Sequence, residues 1–280
     1  MKRIITLQDI SCVGKCALTV ALPIISLMGI EACPLPTALL SNHTAFESFK
    51  FFDLHKEMEE IIPELKKQGF NFDGIYSAYL GSKEQVDTVC SFIDEFKNEN
   101  TLVLVDPVMA DNGKLYPGFD KSFPEEMKKL CKKAHIIVPN ITEAAFLLGK
   151  NGKLEFNKIE DLKEPMQMLC DIGPEICVLT GVESDNKLGG VVYNKKTDEF
   201  YYLLKDKIHK TFHGTGDLFA SVLFSCLING LHEKKALKVA VEFTYSAMEA
   251  TMRNKDAAWY GVDFETVMPQ LLELTKEFPC

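Results

Sequence analysis

The sequence lacks the features of a membrane protein and of a nucleic-acid-binding protein. No apolar run reaches membrane-spanning length, and no basic region followed by a long apolar core stands near residue 1. The formal net charge is -9, so overall charge provides no footprint for DNA, RNA or anionic lipid. We therefore expect a cytoplasmic protein with neither a membrane partner nor a nucleic-acid partner.

Paired cysteine motifs and internal repeats are also absent. The nine cysteines are scattered without a CxxC pair, and most lie within apolar runs. This pattern is typical of free thiols in a reducing compartment and argues against a disulfide framework or a zinc site. Low-complexity tracts and linker-like segments are missing too. We therefore predict a single domain over residues 1–280, long enough to bury a substantial core.

Short apolar, β-branched runs alternate with longer segments of helical period. The predicted strands are 3–7, 29–36, 72–79, 101–108, 135–139 and 176–180. The predicted helices between them are 16–28, 55–68, 83–98, 124–132, 142–149 and 159–171. Regular alternation of this kind predicts an α/β fold of three layers, in which helices cover both faces of a mostly parallel sheet.

Two later stretches break the alternation. Residues 189–193 and 199–204, joined by a polar turn, predict an antiparallel hairpin near the sheet edge. Helices 216–229 and 233–253 follow the hairpin. Apolar residues at helical spacing in the last helix predict a packing face and no chemistry.

The chain is organised around Gly214-Thr215-Gly216-Asp217, a glycine-rich turn that runs directly into an apolar helix. Unpaired N–H groups of the turn and of the first helical turn should point at one spot and bind an anion there. Without Cβ atoms, both glycines can adopt a positive φ and approach a ligand closely. Asp217 would then accept a proton from a hydroxyl that attacks a bound phosphoryl group. Alternatively, Asp217 only complements the helix dipole and the glycines form an ordinary turn.

Polar residues end the predicted strands, and they should meet at one edge of the sheet. Ligands of parallel sheets bind beyond the carboxyl ends of the strands. Chain turns gather Asp and Asn at such ends in any case, but several ends converging with the glycine loop indicate a site. The residues are Gln8 with Asp9, Thr37, Tyr79, Asp106, Asn140 with Glu143, and Thr180 with Gly181.

Four segments are Gln8-Asp9-Ile10-Ser11-Cys12-Val13-Gly14, Ser41-Asn42-His43-Thr44, Tyr79-Leu80-Gly81-Ser82 and Gly214-Thr215-Gly216-Asp217. Together they resemble the ribokinase superfamily and, within it, the pyridoxal kinase branch. Order and spacing hold from about residue 4 to about residue 252. Two further segments, Val105-Asp106-Pro107-Val108 and Pro139-Asn140-Ile141-Thr142-Glu143, fit the superfamily more generally. The glycine motif assigns the superfamily, and Ser41-Asn42-His43-Thr44 assigns the branch more sharply.

The resemblance implies transfer of the γ-phosphoryl group of ATP to the 5′-hydroxymethyl group of pyridoxal, pyridoxamine or pyridoxine, in salvage of pyridoxal 5′-phosphate. It makes Asp217 the catalytic base, while the N–H groups of Gly214, Thr215 and Gly216 stabilise the moving phosphoryl oxygens. It also implies Mg²⁺, with a monovalent cation as a further candidate, and a homodimer. Asp106, Asn140 and Glu143 match the positions that surround the Mg²⁺, mostly through water, with Asp106 and Glu143 as its predicted ligands.

The same resemblance implies two sets of binding residues. For the vitamer they are Asp9, His43, Thr44, Tyr79 and Asp217. For the nucleotide they are Asp106, Asp111, Asn140, Thr180, Phe212, Gly214 and Gly216.

Structural alternatives remain open for several of these residues. Tyr79 could be a core aromatic that closes its strand. Asn140 and Glu143 could be the two halves of a capping box at a helix start. His43 could stack on the substrate or hold a turn through its ring nitrogens.

The sequence departs from the pyridoxal kinase pattern at two positions. Asp9 stands where many members of that branch have serine, and Ala78 replaces a common glycine. A carboxylate at position 9 should favour an amine or hydroxyls over an aldehyde, so we expect a preference for pyridoxamine or pyridoxine.

Two other functions compete with this prediction. Hydroxymethylpyrimidine kinase catalyses the same chemistry, but that branch usually has a Gly-rich turn where this chain reads Ser11-Cys12-Val13-Gly14-Lys15. A non-catalytic binder of a vitamer or nucleotide is the second.

Residues 39–63 predict a loop and a helix, which differs from the sheet-like lid of sugar kinases in the superfamily. The phenylalanines at 46–52 suit a dimer interface or a substrate flap.

Overall fold

The computed structural model describes residues 1–275. Its strands are, in chain order, β1 (Arg3–Val13), β2 (Glu31–Asn42), β3 (Phe51–Asp53), β4 (Gly74–Ser77), β5 (Leu102–Val105), β6 (Ala110–Asp111), β7 (Lys114–Leu115), β8 (Ile136–Ile137), β9 (Ile176–Ser184), β10 (Lys187–Asn194) and β11 (Glu199–Asp206).

One nine-stranded sheet forms the centre, in the order β11-β10-β9-β8-β5-β4-β1-β2-β3. The strands from β9 to β2 pair in parallel. Antiparallel strands lie at both edges, with β10 and β11 at one and β3 at the other. The mostly parallel sheet and the edge hairpin are therefore confirmed.

The helices are α1 (Leu18–Leu27), α2 (His55–Lys67), α3 (Lys83–Phe96), α4 (Phe123–Cys131), α5 (Ile141–Leu147), α6 (Lys163–Asp171), α7 (Thr215–Ile228), α8 (Glu233–Arg253) and α9 (Met268–Leu274). Short 3₁₀ turns precede α6 (Ile159–Leu162) and α9 (Phe264–Val267). Across residues 1–275, none of these helices has both the length and the apolar character of a membrane span.

Two hydrophobic clusters lie on opposite faces of the sheet. Successive residues of one strand enter different clusters, as Ile4 and Ile5 of β1 do, because side chains alternate along a strand. Helices α2 to α6 cover one face, and α1, α7, α8 and α9 cover the other. This arrangement is the predicted three-layer α/β/α fold.

Helix α3 illustrates how local sequence produces these elements. Its N-cap is Ser82, whose hydroxyl accepts a hydrogen bond from the N–H of Gln85 at 3.2 Å. Val86, Val89 and Phe92 recur at helical spacing and are buried against the sheet.

Three strands continue past the ends predicted for them. β1 extends through Gln8 and Asp9 to Val13, because its second half pairs with a longer β2 across a register shift between Gln8 and Ile10. β2 likewise continues through Thr37, and β9 through Thr180. The prediction that these residues end their strands is wrong, because long-range pairing sets strand length. β4, β5 and β8 do end just before Tyr79, Asp106 and Asn140.

The prediction of a loop before α2 is also wrong in part. β2 runs through Ser41 and Asn42, and residues 51–53 add β3 as an edge strand. The small β6–β7 sheet was not predicted either. It turns at Asn112 and Gly113, with φ of 50° and 77°, an Asn-Gly pair that favours such a hairpin.

Candidate active site

The glycine loop begins α7, as its sequence predicts. Gly214 is the N-cap residue with φ 75°, and a Cβ there would collide with the carbonyl oxygen of Lys15. Position 214 therefore requires glycine on two grounds. Gly216 differs from the prediction, because it lies inside the helix without a positive φ. Nothing lies within 4 Å of a Cβ at Gly216, so its backbone faces open space where a ligand could approach.

Asp217 lies in the first turn of α7 and remains partly exposed to a cavity. Burial by the surrounding protein raises the pKa of its carboxyl to about 6. The backbone N–H groups of Ala17 and of Asp217 itself oppose that rise by hydrogen bonding to the ionised form. A carboxyl with a pKa near 6 is ionised at neutral pH and is still a stronger base than an exposed aspartate.

A cavity of about 420 Å³ opens in front of this loop. Residues from the carboxyl ends of β5 and β8, the hairpin, the glycine loop and α8 surround it. Every predicted nucleotide or metal residue lines this cavity: Asp106, Asp111, Asn140, Glu143, Thr180, Phe212, Gly214 and Gly216, together with Thr215 and Asp217. Residues distant in the sequence are therefore brought to one place.

Two buried carboxyls form the floor of the cavity. Asp106 and Glu143 are 7% and 2% exposed. Burial raises the pKa of both, and the negative charges of Glu143 and Asp217 add to the rise for Asp106. The charges that act on Asp106 are therefore those of carboxylates. The floor is a cluster of acidic oxygens.

The capping-box alternative for Asn140 and Glu143 is present in the structure. The Asn140 side chain accepts a hydrogen bond from the Glu143 N–H, and the Glu143 carboxylate accepts one from the Asn140 N–H, both at 2.9 Å. The other Glu143 oxygen accepts the Met109 N–H at 3.2 Å. Both oxygens are thus held by main-chain donors, with lone pairs left for a further ligand.

Asp9 lies close to Asp217 but is not part of the cavity lining. It is 8% exposed and stands at the register shift in β1. Burial, and then the charge of Asp217, raise the pKa of Asp9 to about 7. Tyr79 lies near Asp9. Burial, followed by the charges of Asp9 and Asp53, raises the pKa of Tyr79 to about 12. Tyr79 is only partly buried and contacts the ring of Phe119, so it is not a core residue of its strand.

His43 both holds a turn and joins a group of aromatic rings. Its Nδ1 accepts the N–H of Ala45 at 3.1 Å, which leaves Nε2–H to donate to the carbonyl oxygen of Tyr260 at 3.0 Å. The His43 ring lies 5.1 Å from the ring of His213, next to the glycine loop. Thr44, also predicted to contact substrate, is exposed.

Several residues of the site were not predicted individually. Lys205 and Lys210 are the two lysines that line the cavity. Thr244 and Tyr245 form part of the wall that α8 contributes. The signal for the lysines was the basic stretch Lys205-Asp206-Lys207-Ile208-His209-Lys210, between the hairpin and the glycine loop. Helix α8 therefore has a packing face, as predicted, and also contributes to the cavity wall.

Comparison with known proteins agrees with this geometry. The sequence matches the phosphomethylpyrimidine kinase family over residues 23–260. Pyridoxal kinase of Ovis aries is 30% identical over 287 residues, which cover 94% of this chain and 87% of that protein.

Solved structures resemble the whole chain. A Bacteroides thetaiotaomicron VPI-5482 protein provisionally named phosphomethylpyrimidine kinase, in an orthorhombic form with pyridoxal, superposes with a TM-score of 0.92 at 38% identity, over 96% of this chain and 95% of that one. Pyridoxal kinase of Lactobacillus plantarum superposes with a TM-score of 0.90 at 26% identity, over 99% and 98%. The chain therefore belongs to the phosphomethylpyrimidine kinase family, in the pyridoxal kinase branch of the ribokinase superfamily.

Proposed function

We propose that this protein transfers the γ-phosphoryl group of ATP to the 5′-hydroxymethyl group of a vitamin B6 vitamer. The observation that carries the proposal is Asp217, a carboxylate with a raised pKa at a helix start whose N–H groups face a cavity. An anion site beside a base is the arrangement that phosphoryl transfer to an alcohol needs. The pyridoxal kinases to which this chain is similar support the vitamer as acceptor.

In this proposal Asp217 removes the proton from the acceptor hydroxyl as the hydroxyl oxygen attacks phosphorus. The N–H groups of Gly214, Thr215 and Gly216 hold the oxygens of the moving phosphoryl group. Lys205 and Lys210, which line the cavity, neutralise phosphate charge. Phe212, Thr180, Asp111 and Asn140 contact the nucleotide.

The acidic floor fits a divalent cation. Asp106 and Glu143 supply only oxygen ligands and are buried next to each other, which suits Mg²⁺. Because main-chain N–H groups already occupy the Glu143 oxygens, we infer that Glu143 binds the ion mostly through water. When bound, Mg²⁺ would neutralise charge on the phosphate oxygens. A monovalent cation stays a prediction.

The acceptor would lie between Asp217 and Asp9, with Tyr79, His43 and Thr44 at its periphery. Tyr79 presents a partly exposed ring for a flat heterocycle. The Asp9 carboxyl, buried beside a second carboxyl, favours a partner that carries a proton or a positive charge. This supports a preference for pyridoxamine or pyridoxine.

Hydroxymethylpyrimidine kinase is the second candidate function. The name of the matching family and the provisional name of the Bacteroides thetaiotaomicron relative favour it. That relative was, however, crystallised with pyridoxal. A non-catalytic vitamer binder is the third, and the complete glycine loop with Asp217 argues against it.

One assay distinguishes these functions. Purified protein is incubated with ATP and Mg²⁺ and with pyridoxal, pyridoxamine, pyridoxine or hydroxymethylpyrimidine, and phosphorylated product is quantified. We expect product from at least one B6 vitamer at higher kcat/KM than from hydroxymethylpyrimidine. The opposite order would assign the second function, and no product with any alcohol would refute kinase activity. Asp217→Asn and omission of Mg²⁺ serve as controls.

We also propose a homodimer that forms through the β3 edge of the sheet. Leu39, Phe51 and Phe52 are 37%, 39% and 59% exposed there, and β3 is the last strand of the sheet. Gel filtration with light scattering should give twice the chain mass, and Phe52→Glu should give a monomer. The eight cysteines of the described chain are free thiols, which supports the cytoplasmic location.

A further inference from the structure

Lys15 forms the least exposed ion pair near the glycine loop. Its Nζ lies 2.8 Å from Asp263 and 2.9 Å from Glu265. The side chains of Lys15 and Asp263 are 21% and 9% exposed, so water screens this pair little. Asp263 is anchored in turn, because its second oxygen accepts Asn254 Nδ2 at 2.7 Å and its N–H donates to Thr251 at 2.8 Å. Lys15 is thus tied to the segment that follows α8.

The turn that carries Lys15 has a strained backbone. Ala17 is buried with φ 48° and ψ −129°, a conformation that residues other than glycine adopt only where surrounding structure holds them. Gly14 has φ 141°. Thr19 bridges the turn, as its hydroxyl lies 2.9 Å from the Gly14 oxygen and 2.7 Å from the Cys16 oxygen.

This turn packs directly against the glycine loop. The carbonyl oxygen of Lys15 occupies the space that a Cβ on Gly214 would need, and the Lys15 stem packs against Gly261. The backbone of Ala17 also acts on Asp217, because it opposes the rise that burial causes in the pKa of that carboxyl. Residues 14–17 are therefore a wedge between the segment after α8 and the start of α7.

We propose that Lys15 is a positioning residue for phosphoryl transfer. By binding Asp263 and Glu265, it holds the strained turn 14–17 against Gly214, the N-cap of α7, and so fixes the position of Asp217 in the first turn of that helix. Lys15 does not line the nucleotide cavity, so its charge acts through the turn and not on phosphate. This inference rests on the proposed function of Asp217 as the base.

The proposal predicts a change in kcat without a change in nucleotide affinity. If Lys15 bound ATP directly, its removal would raise the KM for ATP. Loss of the ion pairs of Lys15 with Asp263 and Glu265, which together form the Lys15 clamp, should instead let the turn relax. The Asp217 carboxylate would then lose its fixed orientation. Because Lys15→Met removes both charged hydrogen bonds that hold the turn, we expect it to lower kcat about 10-fold to 100-fold, with the KM for ATP within about twofold.

Four variants test this with matched controls. Lys15→Arg keeps both ion pairs and should retain kcat within about threefold of wild type. Glu265→Gln removes only the more exposed partner and should give a smaller loss of kcat in the same direction. Lys195→Met removes a surface ion pair with Asp171 far along the sheet and should leave kcat unchanged. Lys15→Met with wild-type kcat, or with a raised KM for ATP alone, would overturn the proposal.

Two further readouts separate this proposal from other failures. If Lys15→Met does not fold, the Glu265→Gln and Lys15→Arg variants test the proposal instead. A kcat of Glu265→Gln equal to that of the wild type would contradict the positioning role of the ion pairs. If the wild-type protein phosphorylates no alcohol, the proposed function fails instead. In that case the crystal structure of Lys15→Met tests whether Lys15 holds the turn. We expect Ala17 to relax to a negative φ, and an unchanged turn would refute the positioning role.

Discussion

At the scale of single residues, the site depends on how burial changes the acidity of carboxyls. Asp217 and Asp9 lie close together, and both have pKa values well above that of an exposed aspartate. The values are about 6 for Asp217 and about 7 for Asp9. Burial is the main cause for each, and no sequence pattern reports it. The shifts imply that protonation controls activity near neutral pH.

Removal of the base should abolish most turnover. We expect Asp217→Asn to lower kcat by about 10² to 10⁴, because the amide cannot accept the hydroxyl proton. In the wild type, kcat/KM should fall about tenfold per pH unit below pH 6, since the carboxyl must be ionised to act. Steady-state rates from pH 5 to 8 measure both effects. Near-normal turnover by Asp217→Asn would contradict the assignment.

The acidic side chain at position 9 should determine which vitamer is preferred. Asp9→Ser removes a buried carboxyl that favours a proton-bearing partner, so the preference for pyridoxamine and pyridoxine over pyridoxal should fall, by about tenfold in kcat/KM. Competition assays with pairs of vitamers measure the ratio. An unchanged ratio would show that Asp9 does not select the acceptor.

At the scale of elements, the start of α7 combines two glycines with different requirements. Gly214 needs its positive φ and its contact with Lys15, whereas Gly216 has ordinary helical geometry and open space in front of it. The motif alone suggested the same role for both. The positive φ of Gly214 and its contact with residues 14–17 distinguish the structural glycine from the one that leaves room for a ligand.

Alanine substitutions should separate these two roles. Gly214→Ala should destabilise the fold by roughly 1 to 3 kcal/mol or more, through strain and collision with Lys15. Gly216→Ala should leave stability unchanged or raise it by about 0.5 to 1 kcal/mol, because alanine favours a helix. Gly216→Ala should nevertheless lose activity, since its methyl group faces the ligand. Thermal unfolding and kinetics test both, and equal stability of the two variants would contradict this distinction.

At the scale of the whole molecule, one sheet places the acidic residues of four distant segments at the same edge. Asp9, Asp106, Glu143 and Asp217 all have raised pKa values with burial as the first cause. Folding therefore brings four carboxyls together at a cost to their ionised forms, which bound cations should relieve. One continuous nine-stranded sheet supports the prediction of a single domain over residues 1–280, which stays a prediction.

This charge predicts an unusual dependence of stability on pH. An acid whose pKa is raised by folding binds its proton more tightly in the folded state, so its contribution is present below the unfolded value near 3.8 and is lost as pH rises through about 6 for Asp217 and about 7 for Asp9. The ligand-free protein should be less stable at pH 8 than at pH 5, by an amount on the order of a few kcal/mol. Melting temperatures measure this.

Two controls test that prediction. Asp9→Asn should flatten the dependence, whereas Asp94→Asn, which changes an exposed surface carboxylate, should not. Adding Mg²⁺ with ADP should restore stability at pH 8 by binding only the folded state. A melting temperature that rises from pH 5 to pH 8 without ligand would refute the explanation.

The sequence by itself determined the alternation of strands and helices, the edge hairpin and the glycine loop with Asp217 at a helix start. These features depend on local periodicity and local backbone chemistry, which neighbouring residues carry. The tertiary structure decided where β1, β2 and β9 end, which lysines line the cavity, and how strongly Asp9 and Asp217 hold their protons. It also revealed the Lys15 clamp, because pairing, burial and charge depend on residues up to 250 positions apart that only the fold brings together.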